Sequence, residues 1–181
     1  MKNWFVLFVR AGSEVKLTST LRGSLNATDY FPFLPLRVVS YRKKKVVYRV
    51  RRLLFPGYIF VQTQIEPVLI ADSFRLVLEG IKEKKIYSIL HYGNDKNDVV
   101  VREEERLHWE RLFNEEFCIE ESIGFAERDV IRVTSGPLIG LEGKIKRVNR
   151  HKREATVEMH MMGAIHEVSL MLEITEKIDK E

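Results

Sequence analysis

The chain has 181 residues, is 45% hydrophobic and 31% charged, and carries a formal net charge of +4 with a pI near 9.1. That length allows one large domain or two small ones, and the composition is that of an ordinary folded chain. The lone Cys118 excludes an intramolecular disulfide and a cysteine-rich zinc site, no apolar run nears the roughly 20 residues of a membrane helix, and the mild basic excess permits a nucleic-acid partner without demanding one.

Met1-Lys2-Asn3-Trp4 opens straight into a strand pattern with no signal-peptide shape, so a cytoplasmic protein is expected. Trp4 to Val9 is apolar throughout and suits a central strand buried on both faces. Gly12-Ser13-Glu14 supplies a turn, an N-cap and an acidic first helical residue. The helix that follows runs to about Leu25, with Leu17, Leu21 and Leu25 as its buried stripe and Lys16 and Arg22 off it. Tyr30 to Phe33 begins a second strand region, which Pro32 and Pro35 make edge-like or irregular. Val38–Tyr41 and Val46–Val50 flank Arg42-Lys43-Lys44-Lys45, a basic hairpin tip. Arg37 to Arg52 is rich in Arg and Lys and holds no acidic residue. This ribbon reads either as a solvated edge kept soluble by its charge or as a phosphate-facing surface.

Arg52 to Val61 is the stretch around which the chain is organised. Pro56 and Gly57 make a turn, and a β-branched and aromatic strand follows from Ile59. Phe55 and Tyr58 flank the turn. Two readings stand: the rings fold back onto their own core, or they form an apolar patch held rigidly for another protein.

Glu66-Pro67 opens a helix to about Glu79 carrying Leu69, Phe74 and Leu78, with Gly80 as its stop; the charged run Lys82 to Lys85 stays unassigned. A strand over Tyr87–Leu90, a turn at Gly93-Asn94-Asp95 and an amphipathic helix over Arg102–Phe113 follow. Trp109, Leu112, Phe113 and Phe117 are spaced to pack on a core. The acidic stretch 115–122 predicts a linker between a domain of 1–114 and one of 123–181. Beyond it come short strands at Val130–Val133, Gly143–Val148, Ala155–Met162, His166–Leu170 and Leu172–Ile174, the pattern of a small barrel. Lys144 and Lys146 alternate on one expected strand and would share a face, with Arg147 on the other.

Val133-Thr134-Ser135-Gly136-Pro137 and Gly140-Leu141-Glu142-Gly143 resemble the KOW motif; Trp4 and Phe55-Pro56-Gly57-Tyr58 resemble the NGN domain. Over nearly its whole length the chain is similar to the NusG family of bacterial transcription elongation factors. The implied fold is α+β: an N-terminal mixed-sheet NGN-like domain with flanking helices, plus a C-terminal small five-stranded KOW β-barrel. Three departures point to a specialised paralog of the LoaP or RfaH antiterminator kind. Arg128 stands where a glycine usually precedes the first KOW strand, Leu138 where Phe is usual, and Ile81–Ile86 is longer and more charged than the family's short turn.

The resemblance implies an elongation or antitermination factor that binds the clamp helices of the largest RNA polymerase subunit through an apolar depression lined by Trp4, Phe55, Pro56 and Tyr58. Arg10, Lys16 and Arg22 would approach non-template DNA. The KOW-like part would meet a nascent leader RNA hairpin through Arg128, Lys144, Lys146, Arg147, Arg150, Lys152 and Arg153. The alternative is a housekeeping NusG whose barrel docks a ribosomal protein or Rho. A ribosome-associated RNA-binding protein would explain the barrel alone. The histidines (His91, His108, His151, His160, His166) are scattered, and neither a Gly-rich phosphate loop nor a nucleophile elbow occurs, so a monomeric regulator with no enzymatic activity, cofactor, metal or membrane partner is expected.

Overall fold

The computed structural model describes residues 2–44, 46–81, 84–128 and 130–178; Lys45 of the expected hairpin tip and Lys82 of the charged run lie outside the described residues. The elements are β1 (Asn3–Val9), α1 (Glu14–Ser24), β2 (Tyr30–Phe33), β3 (Leu36–Lys43), β4 (Val46–Leu53), β5 (Tyr58–Thr63), α2 (Pro67–Ile81), β6 (Ile86–Ile89), α3 (Glu103–Leu112), β7 (Cys118–Ile119), β8 (Ser122–Glu127), β9 (Val130–Ser135), β10 (Ile145–Asn149), β11 (Glu154–Met161) and β12 (Ala164–Ile178). They form two compact units, and neither is one run of sequence. The first comprises Met1–Pro35 and Phe55–Arg106, the second Leu36–Leu54 and Leu107–Glu181.

The first unit is a four-stranded sheet in the order β2-β5-β1-β6, antiparallel at every pair. Alternation along β1 decides what each face does. Phe5, Leu7 and Val9 join Leu17 and Leu21 of α1, Ile59 and Val61 of β5, and Ile70 and Phe74 of α2 in one buried cluster. Trp4, Val6 and Phe8 point to the opposite face, where their β5 partners are Gln62, Phe60 and Tyr58. The α1 stripe is as its spacing predicts, but Ser13 makes no side-chain cap. In α2 the buried face runs through Ile70, Ala71 and Phe74; Leu69 is exposed, and Gly80 lies inside the helix instead of ending it.

The second unit holds two sheets. In one, β3 pairs with β4 antiparallel and with β7 parallel, so mixed pairing is found in this hairpin sheet. The stretch 115–122, which reads as a linker, contains β7, whose Cys118 is paired with Leu36 and packs against Val38 and Met171. Two acids of that stretch also pair with arginines of the hairpin, Glu121 with Arg49 and Glu116 with Arg51. The other sheet has five strands in the order β10-β11-β12-β8-β9. The expected strand at Val130–Val133 is β9, β8 before it is not among the strands expected from sequence, and the two last expected strands are one continuous β12. From α3, Trp109 is buried and donates its indole N–H to the His160 carbonyl at 3.1 Å.

Two glycines fix the second unit's backbone. A Cβ on Gly124 would stand 2.3 Å from the Arg132 carbonyl oxygen. Gly136 has φ +94°, and a Cβ there would meet the Glu121 carbonyl oxygen at 2.5 Å. The turn after Gly136 is closed by the Leu138 N–H, donated to Ser122 Oγ at 3.0 Å, and Leu138 is fully buried. The α+β class expected from sequence is the one found, with an N-terminal sheet flanked by helices and a strand-rich C-terminal part.

Candidate functional site

The Phe55–Tyr58 turn is held at several points. Tyr58 N–H donates to the Phe55 carbonyl at 3.3 Å, with Pro56 and Gly57 (φ +89°) between them, the residue pattern of a type II turn. Gly57 accepts a hydrogen bond from Val9 N–H at 2.8 Å and donates its own N–H to Glu14 Oε1 at 2.7 Å. Glu14, read from sequence as an acidic helix start, is thus a buried tether from α1 to the turn.

The tether fixes a division among the aromatics. Trp4 packs edge to face against Phe33 and Phe60, and Phe55 stacks on Phe60 with centroids 6.1 Å apart; all four rings are buried. Trp4 and Phe55, expected to line an apolar depression, are thus buried side chains of this aromatic layer. The exposed rings are Phe8 at 39% and Tyr87 at 56%, with half-buried Tyr58. Phe8 lies 5.6 Å from Tyr58 and 5.3 Å from Tyr87, and Pro56 is exposed on the turn. Phe8 reaches this face by strand alternation. Tyr87 reaches it because the β1–β6 register jumps from Phe8↔Ser88 to Val9↔Ile86, leaving Tyr87 as the extra residue of a bulge. Alternation could have found Phe8; a bulge carries no comparable signal in the sequence.

Of the basic residues placed on α1 and at the end of β1, Arg10 and Lys16 are exposed, and no ion pair or side-chain hydrogen bond among the described residues engages their side chains. Arg22 is committed: its Nε donates to the Pro32 carbonyl at 2.8 Å and its guanidinium lies 4.8 Å from the Phe31 ring centroid.

The expected basic set of the second unit separates in the same manner. Lys146 pairs with Glu158 at 2.9 Å, Arg153 with Glu173 at 3.2 Å, and Arg147 donates to Thr156 Oγ1 at 3.1 Å. Lys144 does not share a strand with Lys146, because Glu142–Lys144 is a 3-10 turn closed by Lys144 N–H on the Leu141 carbonyl. Arg128 is exposed with φ +54°, its N–H bound to the Ile178 carbonyl. Arg150, His151 and Lys152 are exposed, and no ion pair or side-chain hydrogen bond among the described residues engages their side chains. Their turn is rigid: Asn149 Oδ1 accepts Lys152 N–H at 3.0 Å, and Arg153, at φ +54°, donates its N–H to the Arg150 carbonyl at 3.2 Å.

Ordinary titrations are perturbed by packing. Burial, then Lys144, Arg111 and His160, holds His108 below the usual histidine range. Burial pushes the Cys118 thiol up. Burial and a 2.6 Å hydrogen bond to Glu105 push the Tyr92 hydroxyl up. Among the described residues no group of three or more His, Cys, Asp or Glu is placed to hold a metal ion, and no helix is long and apolar enough to cross a membrane.

A two-part chain that displays an aromatic patch on one unit and a basic turn on the other has the layout of a binding protein. Residues 2–108 match the family described as transcription termination factor NusG, and residues 127–160 match the KOW motif. The chain is 26% identical over 182 residues to the transcription termination/antitermination protein NusG of Halalkalibacterium halodurans, covering 98% of this chain and 99% of that one. It is 20% identical over 185 residues to the protein of the same name from Helicobacter pylori, with the same coverage. The chain belongs to the NusG family of transcription termination/antitermination factors, proteins that regulate transcription and are not known as enzymes.

Proposed function

We propose that this chain is a specialised antitermination factor that docks on RNA polymerase through Phe8, Tyr58, Tyr87 and Pro56, and binds structured leader RNA through its C-terminal part. The observation that carries the reading is the exposed aromatic cluster on a tethered turn. Rigid aromatic anchors bury large area at low entropic cost and dominate interface energetics. The clamp helices of the largest subunit are the proposed receptor, and Trp4 and Phe55 support the patch from beneath. Arg10 and Lys16, with Arg22 adding charge, are proposed to face non-template DNA. Residues 1–114 and 123–181 are the proposed functional domains, working in the cytoplasm as a monomer. Arg150 and Lys152 are the proposed leading RNA contacts because both are exposed and no ion pair among the described residues takes up their charge.

The second reading is a housekeeping NusG whose C-terminal part docks a ribosomal protein or Rho. Both relatives carry the broader termination/antitermination description over their full length, which favours it. In vitro transcription through a terminator downstream of the chain's own genomic leader separates the two. Antitermination requires increased read-through that depends on the leader and disappears in Tyr58→Ala. Leader-independent action, or read-through reduced in the presence of Rho, supports the housekeeping role.

A further inference from the structure

Within the second unit, the β3–β4 hairpin and the β10–β11 turn line a common cleft of about 620 Å³. Ser40, Tyr41 and Val47 come from the hairpin, and Arg150, Lys152 and Glu154 are among the residues from the turn. Tyr41 lies directly opposite Tyr48 across the hairpin. Their rings stack with centroids 5.3 Å apart and 16° from parallel, and both are exposed, at 46% and 42%. An exposed, stacked tyrosine pair contributes little to a core. Burial lowers the pKa of the half-buried Arg37, and Glu154, the acid of this lining, acts against that shift. Two hairpin arginines, Arg49 and Arg51, are already paired with Glu121 and Glu116, whereas Arg150 and Lys152 have no ion pair among the described residues.

We infer that this cleft is a binding site for unpaired nucleotides of a nucleic-acid strand, with a base stacked on the Tyr41–Tyr48 platform and its phosphates against Arg150 and Lys152. The inference rests on the proposed nucleic-acid role of this part of the chain and adds to it a single-strand site and the residues that form it. The chemistry is that of general single-strand recognition: a cationic track holds the backbone while aromatic faces take bases with little regard to sequence. A duplex keeps its bases stacked inside, so it offers the platform nothing and is held by its phosphates alone. The volume suits one or two nucleotides, and RNA and DNA share the chemistry.

The test uses the full chain and four labelled probes: an eight-nucleotide single-stranded RNA, the matching DNA, the corresponding RNA duplex, and the genomic leader hairpin. Tyr41→Ala/Tyr48→Ala is expected to weaken binding of both single strands by about tenfold or more, the loss typical of one stacked base, and to leave duplex affinity within about twofold. Tyr41→Phe/Tyr48→Phe keeps the rings and is expected to bind as wild type. Arg150→Glu/Lys152→Glu is expected to weaken all four probes. Equal affinity for RNA and DNA strands marks the phosphate and base as sufficient; a preference for RNA adds a 2′-hydroxyl contact, and both outcomes support the site. A photoactivatable thiouridine in the strand is expected to cross-link to the Tyr41–Tyr48 hairpin, which keeps the test decisive if the alanine variant unfolds. Unchanged single-strand affinity in a folded alanine variant, an equal loss on duplex, or the absence of hairpin cross-links overturns the inference. If the single strand binds and the leader hairpin does not, the structured-RNA reading fails while this site stands; hairpin binding indifferent to the tyrosines gives the reverse.

Discussion

At the Phe55–Tyr58 turn the backbone is held by a buried carboxylate, Glu14, whereas at the Arg150–Arg153 turn it is held by an exposed carboxamide, Asn149. The first turn comes out of a packed aromatic foundation and presents rings. The second caps a strand pair and presents charges whose neighbours Lys146 and Arg153 are already neutralised. The difference teaches how exposure can be read in each case. A ring of the first turn counts as surface only if alternation and bulging bring it out of the foundation. A charge of the second turn counts only if no acid of the fold has claimed it.

The largest expected effect separates two rings three residues apart. Phe55→Ala removes a buried stacked ring and is expected to cost about 3–5 kcal/mol of stability in denaturant unfolding. Tyr58→Ala is expected to change stability far less and to cost about 2 kcal/mol in polymerase affinity by direct titration. Equal stability losses for the two would dissolve the distinction between foundation and patch. Next comes the tether: Glu14→Ala leaves the Gly57 N–H without its acceptor and is expected to cost about 1–3 kcal/mol, with faster amide exchange at the turn as the readout. Asn149→Ala sharpens the other side of the comparison. Loss of one exposed hydrogen bond is expected to cost about 1 kcal/mol, and RNA affinity should fall although no charge has changed. The smallest effect is a pH dependence. His108 is held below its ordinary value, so the folded state resists its protonation. Stability is then full above the unfolded pKa of about 6.5 and declines as pH falls through that value towards the folded one. His108→Gln should flatten that decline in thermal melts; an unchanged slope would assign it to other groups.

Periodicity made much of the fold legible. The Leu17, Leu21, Leu25 stripe, the apolar β1 and the Gly136-Pro137 turn are local patterns, and each lies where its pattern puts it. Long-range pairing was not legible. The acids of 115–122 and the arginines of β4 are distant in sequence, and nothing local shows that they neutralise one another or that Cys118 extends the β3 sheet. In the candidate site, the turn and Tyr58 could be read from Pro56-Gly57, but Phe55 and Tyr58 look alike on paper. Burial under a second aromatic layer separates them. Tyr87 was hidden by a register shift, and Glu14 by having an equally good local explanation as a helix start.

The central claim is that the two turns serve different partners by different physics, and paired salt titrations of the full chain test it most directly. RNA affinity measured between about 50 and 200 mM salt should fall steeply, and Arg150→Glu/Lys152→Glu should reduce the log–log slope by roughly one for each phosphate no longer neutralised. The same variant should leave polymerase affinity unchanged, whereas Tyr58→Ala should weaken polymerase and leave the RNA slope as in wild type. A salt-insensitive RNA affinity, or both variants weakening both partners alike, would contradict the account.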